Sequence, residues 1–75
     1  MKFKINVQWD DEARVWYVED SDVPGLAAEA PTVEAMQALL LVRVPELLEL
    51  NMPDLHSPSV YEVVTHRQQE VAIAC

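Results

Sequence analysis

TVEAMQALLLVRVPELLELN, from Thr32 to Asn51, is the only segment of this 75-residue chain long and apolar enough to cover a sheet. Thr32 offers its hydroxyl to a free N–H of the first turn, as an N-cap does. Glu34 lies near the positive end of the helix dipole. Val33, Met36, Leu40, Val44, Leu47 and Leu48 recur at three- and four-residue spacing, which makes one face apolar. Burying each large side chain on that face contributes roughly 1.5–3 kcal/mol. Leu39, Leu41 and Val42 widen the apolar zone beyond a single stripe. Pro45 has no N–H for the Leu41 carbonyl and its ring crowds that turn. A kink, or two helical pieces meeting at Val44–Pro45, is therefore expected. Asn51 suits a helix C-terminus, and Pro53 lies beyond it as a stop.

Upstream of this helix the period changes from 3.6 to 2. Phe3, Ile5, Val7 and Trp9 alternate with Lys2, Lys4, Asn6 and Gln8, the pattern of a strand with one buried face. Asp10–Ala13 is a polar turn. Arg14–Glu19 reads as the second strand of a hairpin, with Trp16 and Val18 towards the helix. Asp20–Gly25 is a second turn, and Pro24-Gly25 suits a type II geometry. Leu26–Ala30 is a short strand of small residues that let a helix approach. Downstream, Val60–His66 alternates and is β-branched. Arg67–Glu70 interrupts it, and Val71–Cys75 is a candidate continuation.

The element order is then β-β-β-α-β, an α/β (α+β) two-layer sandwich in one domain spanning residues 1–75. Tight turns force the first three strands into an antiparallel meander. The helix returns across one face, so the last strand runs parallel to the first, and placing it beside the first gives the sheet order 3-2-1-4.

Composition narrows the function classes. A domain this small buries little surface and is marginal alone, so small scaffolds lean on disulfides, a metal or a partner subunit. Cys75 is the only cysteine, and His56 and His66 lack the spacing of a zinc site. A homo-oligomer, dimer or tetramer, is therefore expected, with the surplus apolar positions Leu41 and Val42 as its interface. The formal net charge is −8, with 5 basic residues against 13 acidic ones. Phosphate neutralisation needs cations, so direct nucleic-acid binding is not expected. The N-terminus is no signal-peptide core. The apolar run Ala38–Val42 falls far short of the ~20 residues of a membrane span. A cytoplasmic location and no membrane partner follow as expectations.

Catalytic chemistry finds little support. Glu19, Asp20 and Asp22 cluster near one turn, but they lack the Gly and distal Glu of a calcium loop. A two-metal nuclease needs carboxylates from several elements, and the first strand presents only apolar residues on its inner face. Cys75 has no positioned base. His66-Arg67 has no Gly-rich or helix-capping context for a phosphate. Trp9 and Trp16 lack the basic groove that base stacking requires. No catalytic residue, metal or cofactor is expected.

From Trp16 to Ala35 the chain reads WYVEDSDVPGLAAEAPTVEA. An aromatic-rich second strand (Trp16, Tyr17, Val18), an acidic turn ending in Pro24-Gly25, a short strand and a helix capped by Thr32 make it resemble the HicB-like antitoxin family. The resemblance covers most of residues 1–51. It implies a partly degenerate ribonuclease H-like fold with the strand order above. It also implies a non-enzymatic role: binding and neutralising a small basic toxin that cleaves messenger RNA. Members often carry a C-terminal DNA-binding module. The chain resembles short stand-alone members lacking one, so operator binding is not carried over. The acidic turns Asp10, Asp11, Glu12 and Glu19, Asp20, Asp22 are the expected partner-binding surface. The alternative is an orphan oligomeric adaptor, with a small metal-dependent hydrolase a distant third.

Overall fold

A computed structural model describes residues 1–73. Its elements are β1 (Lys2–Asp10), β2 (Val15–Ser21), β3 (Glu29–Ala30), α1 (Val33–Asn51) and β4 (Val60–His66). The sheet order is β3-β2-β1-β4, with β1 antiparallel to β2, β2 antiparallel to β3 and β4 parallel to β1. The expected α+β architecture and strand order are therefore both present.

The inner face of the sheet follows the alternation of β1. Phe3, Ile5 and Val7 are buried and meet Met36, Leu40 and Val44 of α1. Val33, Leu39, Leu47 and Leu48 complete that side of the helix, half-buried against the same core. Trp9, expected in the core, is only half-buried. It packs against the core and against Trp16, at 5.3 Å between ring centroids. Ala30 is buried opposite Trp16, where its small side chain lets α1 come near β3.

The ladder between β1 and β2 contains an irregularity that the alternation did not foretell. Asn6 pairs with Asp20 and Val7 with Val18, so Glu19 is the extra residue of a β-bulge. Before it, Trp16 and Val18 face the helix. After it the phase flips, and Ser21 and Val23 take the inner side. Val23, which looks like a turn residue in sequence, is thereby 2% exposed. The Ser21 hydroxyl accepts from the Val23 N–H at 2.8 Å and fixes this entry to the turn. Gly25 then takes φ +75, and the Leu26 N–H closes on the Val23 carbonyl at 3.3 Å. A positive φ at this position is the requirement that Pro-Gly meets.

Two expectations are corrected and a third is narrowed: β2 runs on to Ser21, so Asp20, expected in the second turn, lies with Glu19 in the strand. The third strand is limited to Glu29–Ala30 rather than Leu26–Ala30, although the Ala28 carbonyl still accepts from the Val18 N–H at 3.0 Å. The helix is continuous from Val33 to Asn51 and runs through Pro45 without splitting. Pro45 lies on the exposed side, so its ring meets no core packing. Thr32 caps the helix as expected, its hydroxyl accepting from the Ala35 N–H at 3.0 Å. Residues 71–73 do not continue β4 as strand; the rest of the expected continuation, with Cys75, lies outside the described residues.

Candidate protein-interaction surface

The six carboxylates expected to meet a partner fall into two groups, which the hairpin sets apart. Asp10 ends β1 opposite Val15, whereas Asp20 and Ser21 oppose Asn6 and Ile5 in the middle of β1. At about 3.3 Å per residue the two groups lie roughly 15 Å apart along the strands. They are two acidic spots, not one patch.

Within each spot some carboxylates have structural partners. The Asp10 carboxylate accepts from the Glu12 and Ala13 N–H groups at 3.0 and 3.1 Å, an Asx turn that shapes the hairpin. Asp11 accepts from the Trp9 indole N–H at 3.2 Å and from the Arg14 guanidinium at 3.1 Å. The Asp22 carboxylate accepts the Lys4 N–H at 2.8 Å, while the Asp22 N–H donates to the Lys4 carbonyl at 2.9 Å. The side chain of Asp22 thus extends the β1–β2 ladder past the end of β2. Glu12, Glu19 and Asp20 are exposed, and among the described residues no hydrogen bond or ion pair engages their carboxylates. They are the carboxylates free to meet a partner.

Trp9 is a centre that sequence alone did not mark. The Arg14 guanidinium lies 5.5 Å from the centroid of its ring and the Arg67 guanidinium 4.6 Å, both within cation–π range. Arg14 holds φ 60 at the end of the hairpin turn, a left-handed conformation that brings its side chain back towards Trp9. The signal in the sequence was faint, because Arg67 lies far from Trp9 along the chain and only the β1–β4 register brings them together.

Away from the helix the sheet is open. Lys2, Lys4, Asn6 and Gln8 of β1 share this face with Val60, Glu62, Val64 and His66 of β4. Lys2 pairs with Glu62. Its hydrogen bond and its charge hold the Glu62 carboxyl below the usual glutamate range, with Lys4 adding to the effect. Gln8, Glu19, Thr65, His66 and Arg67 border a shallow polar depression at the end of β4. No three His, Cys, Asp or Glu side chains are gathered to hold a metal among the described residues. No helix among them is long and apolar enough to cross a membrane.

The expected oligomer contacts, Leu41 and Val42, are 66% and 57% exposed on the outer side of α1. Ala38 and Pro45 lie beside them at helical spacing, and Leu50 is 76% exposed further along the helix. Val71 and Ile73, at 80% and 81% exposed, form a separate apolar segment beyond β4.

Comparison with known proteins places this fold in a family but not in an activity. No curated protein matches the chain. The chain is similar to the crystal structure of the hypothetical protein TTHA1013 from the extremely thermophilic bacterium Thermus thermophilus. The two share 42% sequence identity, with a TM-score of 0.72 over 97% of this chain and 100% of that one. The family described as a domain of unknown function, DUF1902, matches residues 2–74, nearly the whole chain, and the protein belongs to it.

Proposed function

We propose that this protein is a non-enzymatic, protein-binding module of the HicB-like kind, which neutralises a small basic messenger-RNA-cleaving toxin in the cytoplasm and works as a homo-oligomer. The supporting observation is that, of the six carboxylates around the two acidic turns, Glu12, Glu19 and Asp20 are exposed and have no internal partner among the described residues, in a chain of net charge −8. Carboxylates on an interface rim raise association rates with a basic partner by long-range steering. The resemblance from Trp16 to Ala35 supplies the class of partner. A second reading, an oligomeric adaptor without a toxin, draws on Leu41 and Val42, whose exposure leaves an apolar surface on α1 for a subunit contact.

The test is stopped-flow association with a basic ribonuclease-like protein encoded beside this chain, across a salt series. Asp22 is a poor probe of steering, because its carboxylate holds the Lys4 N–H. Glu12→Gln, Glu19→Gln and Asp20→Asn together leave those structural bonds intact. The triple variant should associate more slowly than the wild type at low salt. The gap should narrow near physiological ionic strength, where the Debye length is about 8 Å. Equal rates at low salt would reject the acidic spots as the steering surface, and no binding at all would favour the adaptor.

A further inference from the structure

The outer edge of β4 is open, and it lacks the devices that normally blunt an edge strand. VYEVVTH, from Val60 to His66, holds no proline, no bulge and no lysine, and its single carboxylate, Glu62, is paired with Lys2. The hydrogen-bonding phase fixes which groups point outwards. The Val60 N–H donates to the Met1 carbonyl, so Val60, Glu62 and Val64 turn their backbone groups towards β1. Tyr61, Val63 and Thr65 turn theirs to the free edge.

Beyond β4 the chain runs outwards. The molecule measures 60 × 20 × 17 Å, and its radius of gyration is 15.0 Å, against about 11 Å for a compact domain of this length. Arg67 over Trp9 anchors the root of the arm formed by residues 67–73. Within that arm the apolar side chains Val71 and Ile73 are 80% and 81% exposed within their own chain.

We propose that the β4 edge pairs antiparallel with β4 of a second copy of this chain about a two-fold axis at Val63, and that the arm of each copy docks on the other. This names the interface of the homo-oligomer and rests on that part of the proposed function. The register is selective. Centred on Val63, it pairs Tyr61 with Thr65 of the second copy and Val63 with its own counterpart, so every outward-facing residue of β4 finds a bonded partner within β4. It sets Glu62 opposite Val64. A centre at Glu62 would place two carboxylates face to face, which is destabilising. The antiparallel direction carries each arm past the start of the other β4, towards the end of α1. There Leu48, Met52, Pro53 and Leu55 line an open notch that Glu49 borders. A seven-residue arm reaches about 23 Å, and its exposed apolar side chains Val71 and Ile73 suit the apolar part of that notch. The two sheets join into one, with both helices on the same face.

Light scattering and amide hydrogen exchange on the full chain test the pairing. The wild type should have twice the 8.5 kDa chain mass, and the Tyr61, Val63 and Thr65 amides should exchange at least about a hundredfold more slowly than free edge amides. Thr65→Pro removes one outward N–H without touching the β1 ladder and should give folded monomer by circular dichroism, while Thr65→Ala stays dimeric. Val71→Asp with Ile73→Asp should weaken the dimer at least about tenfold. A monomeric wild type with fast-exchanging edge amides would overturn both this interface and self-association. A dimer whose edge amides exchange freely would overturn the β4 pairing alone and leave Leu41 and Val42 as the contact. A dimer indifferent to the double Asp variant would overturn the arm. Should Thr65→Pro fail to fold, the wild-type exchange pattern still decides.

Discussion

Asp22 shows how a residue can look like surface charge and act as backbone. Its carboxylate takes the place of a strand carbonyl for the Lys4 N–H. Asp22→Ala should cost roughly 1–2 kcal/mol, the range for a hydrogen bond to a charged group tempered by exposure. Asp22→Asn keeps an acceptor oxygen and should cost less than half as much. Urea titration of the two variants separates structure from charge, since equal losses would mean that charge alone matters. Leu40 is the opposite case, a residue whose role could be read directly. It is 0% exposed in the core, and Leu40→Ala should cost roughly 2–5 kcal/mol through lost burial and the cavity left behind. A loss below about 0.5 kcal/mol would match an exposed site and contradict the packing. Spacing alone exposes Leu40, because its helical neighbours repeat the pattern. Asp22 is invisible to spacing, because its partner is 18 residues away.

At the scale of elements, legibility tracks how far an element's cause lies within its own residues. The helix is set by its periodicity and by Thr32, and both ends match the expectation. The strand order follows from turn lengths and one crossover. The bulge at Glu19 does not, because it depends on Ser21 and Val23 meeting a core supplied by another element. The third strand was overestimated for a related reason. Leu26–Ala30 has strand-like residues, but the turn closing on Val23 leaves only Glu29 and Ala30 in ladder register with β2. The candidate site was partly legible: the acidic residues cluster near the two hairpin turns, but Asp10 ends β1, Glu19 and Asp20 lie in β2 rather than in a turn, and Asp10, Asp11 and Asp22 already serve the fold. Pro45 gives this scale its own test. It deprives the Leu41 carbonyl of a donor in a helix that nonetheless continues. A proline in a helix interior is about 3 kcal/mol less favourable than alanine, so Pro45→Ala should stabilise the protein by about 1–3 kcal/mol and raise its melting temperature. A lower melting temperature would show that proline geometry at this turn is needed to seat Leu47 and Leu48 on the core.

At the scale of the whole molecule the question is how so small a domain stays folded. Among the described residues the buried core is wholly apolar and runs from Phe3 to Val44. Domains of this size bury a smaller share of their surface than larger ones, and typical native stabilities are only about 5–15 kcal/mol. Meanwhile Leu41, Val42, Leu50, Val60, Val71 and Ile73 all remain exposed in the single chain. Burying part of this surface between copies would add apolar area where the monomer is short of it. Folding and association would then be linked by mass action. For a folded dimer in equilibrium with unfolded chains, each tenfold rise in concentration favours the dimer by about 1.4 kcal/mol, or about 0.7 kcal/mol per chain. In a domain of this size that raises the melting temperature by roughly 3–6 °C. Thermal scans between micromolar and hundreds of micromolar should show that rise in steady steps. A midpoint that did not move would mean that one chain holds itself together, without help from contacts at the outer face of α1 or at the β4 edge.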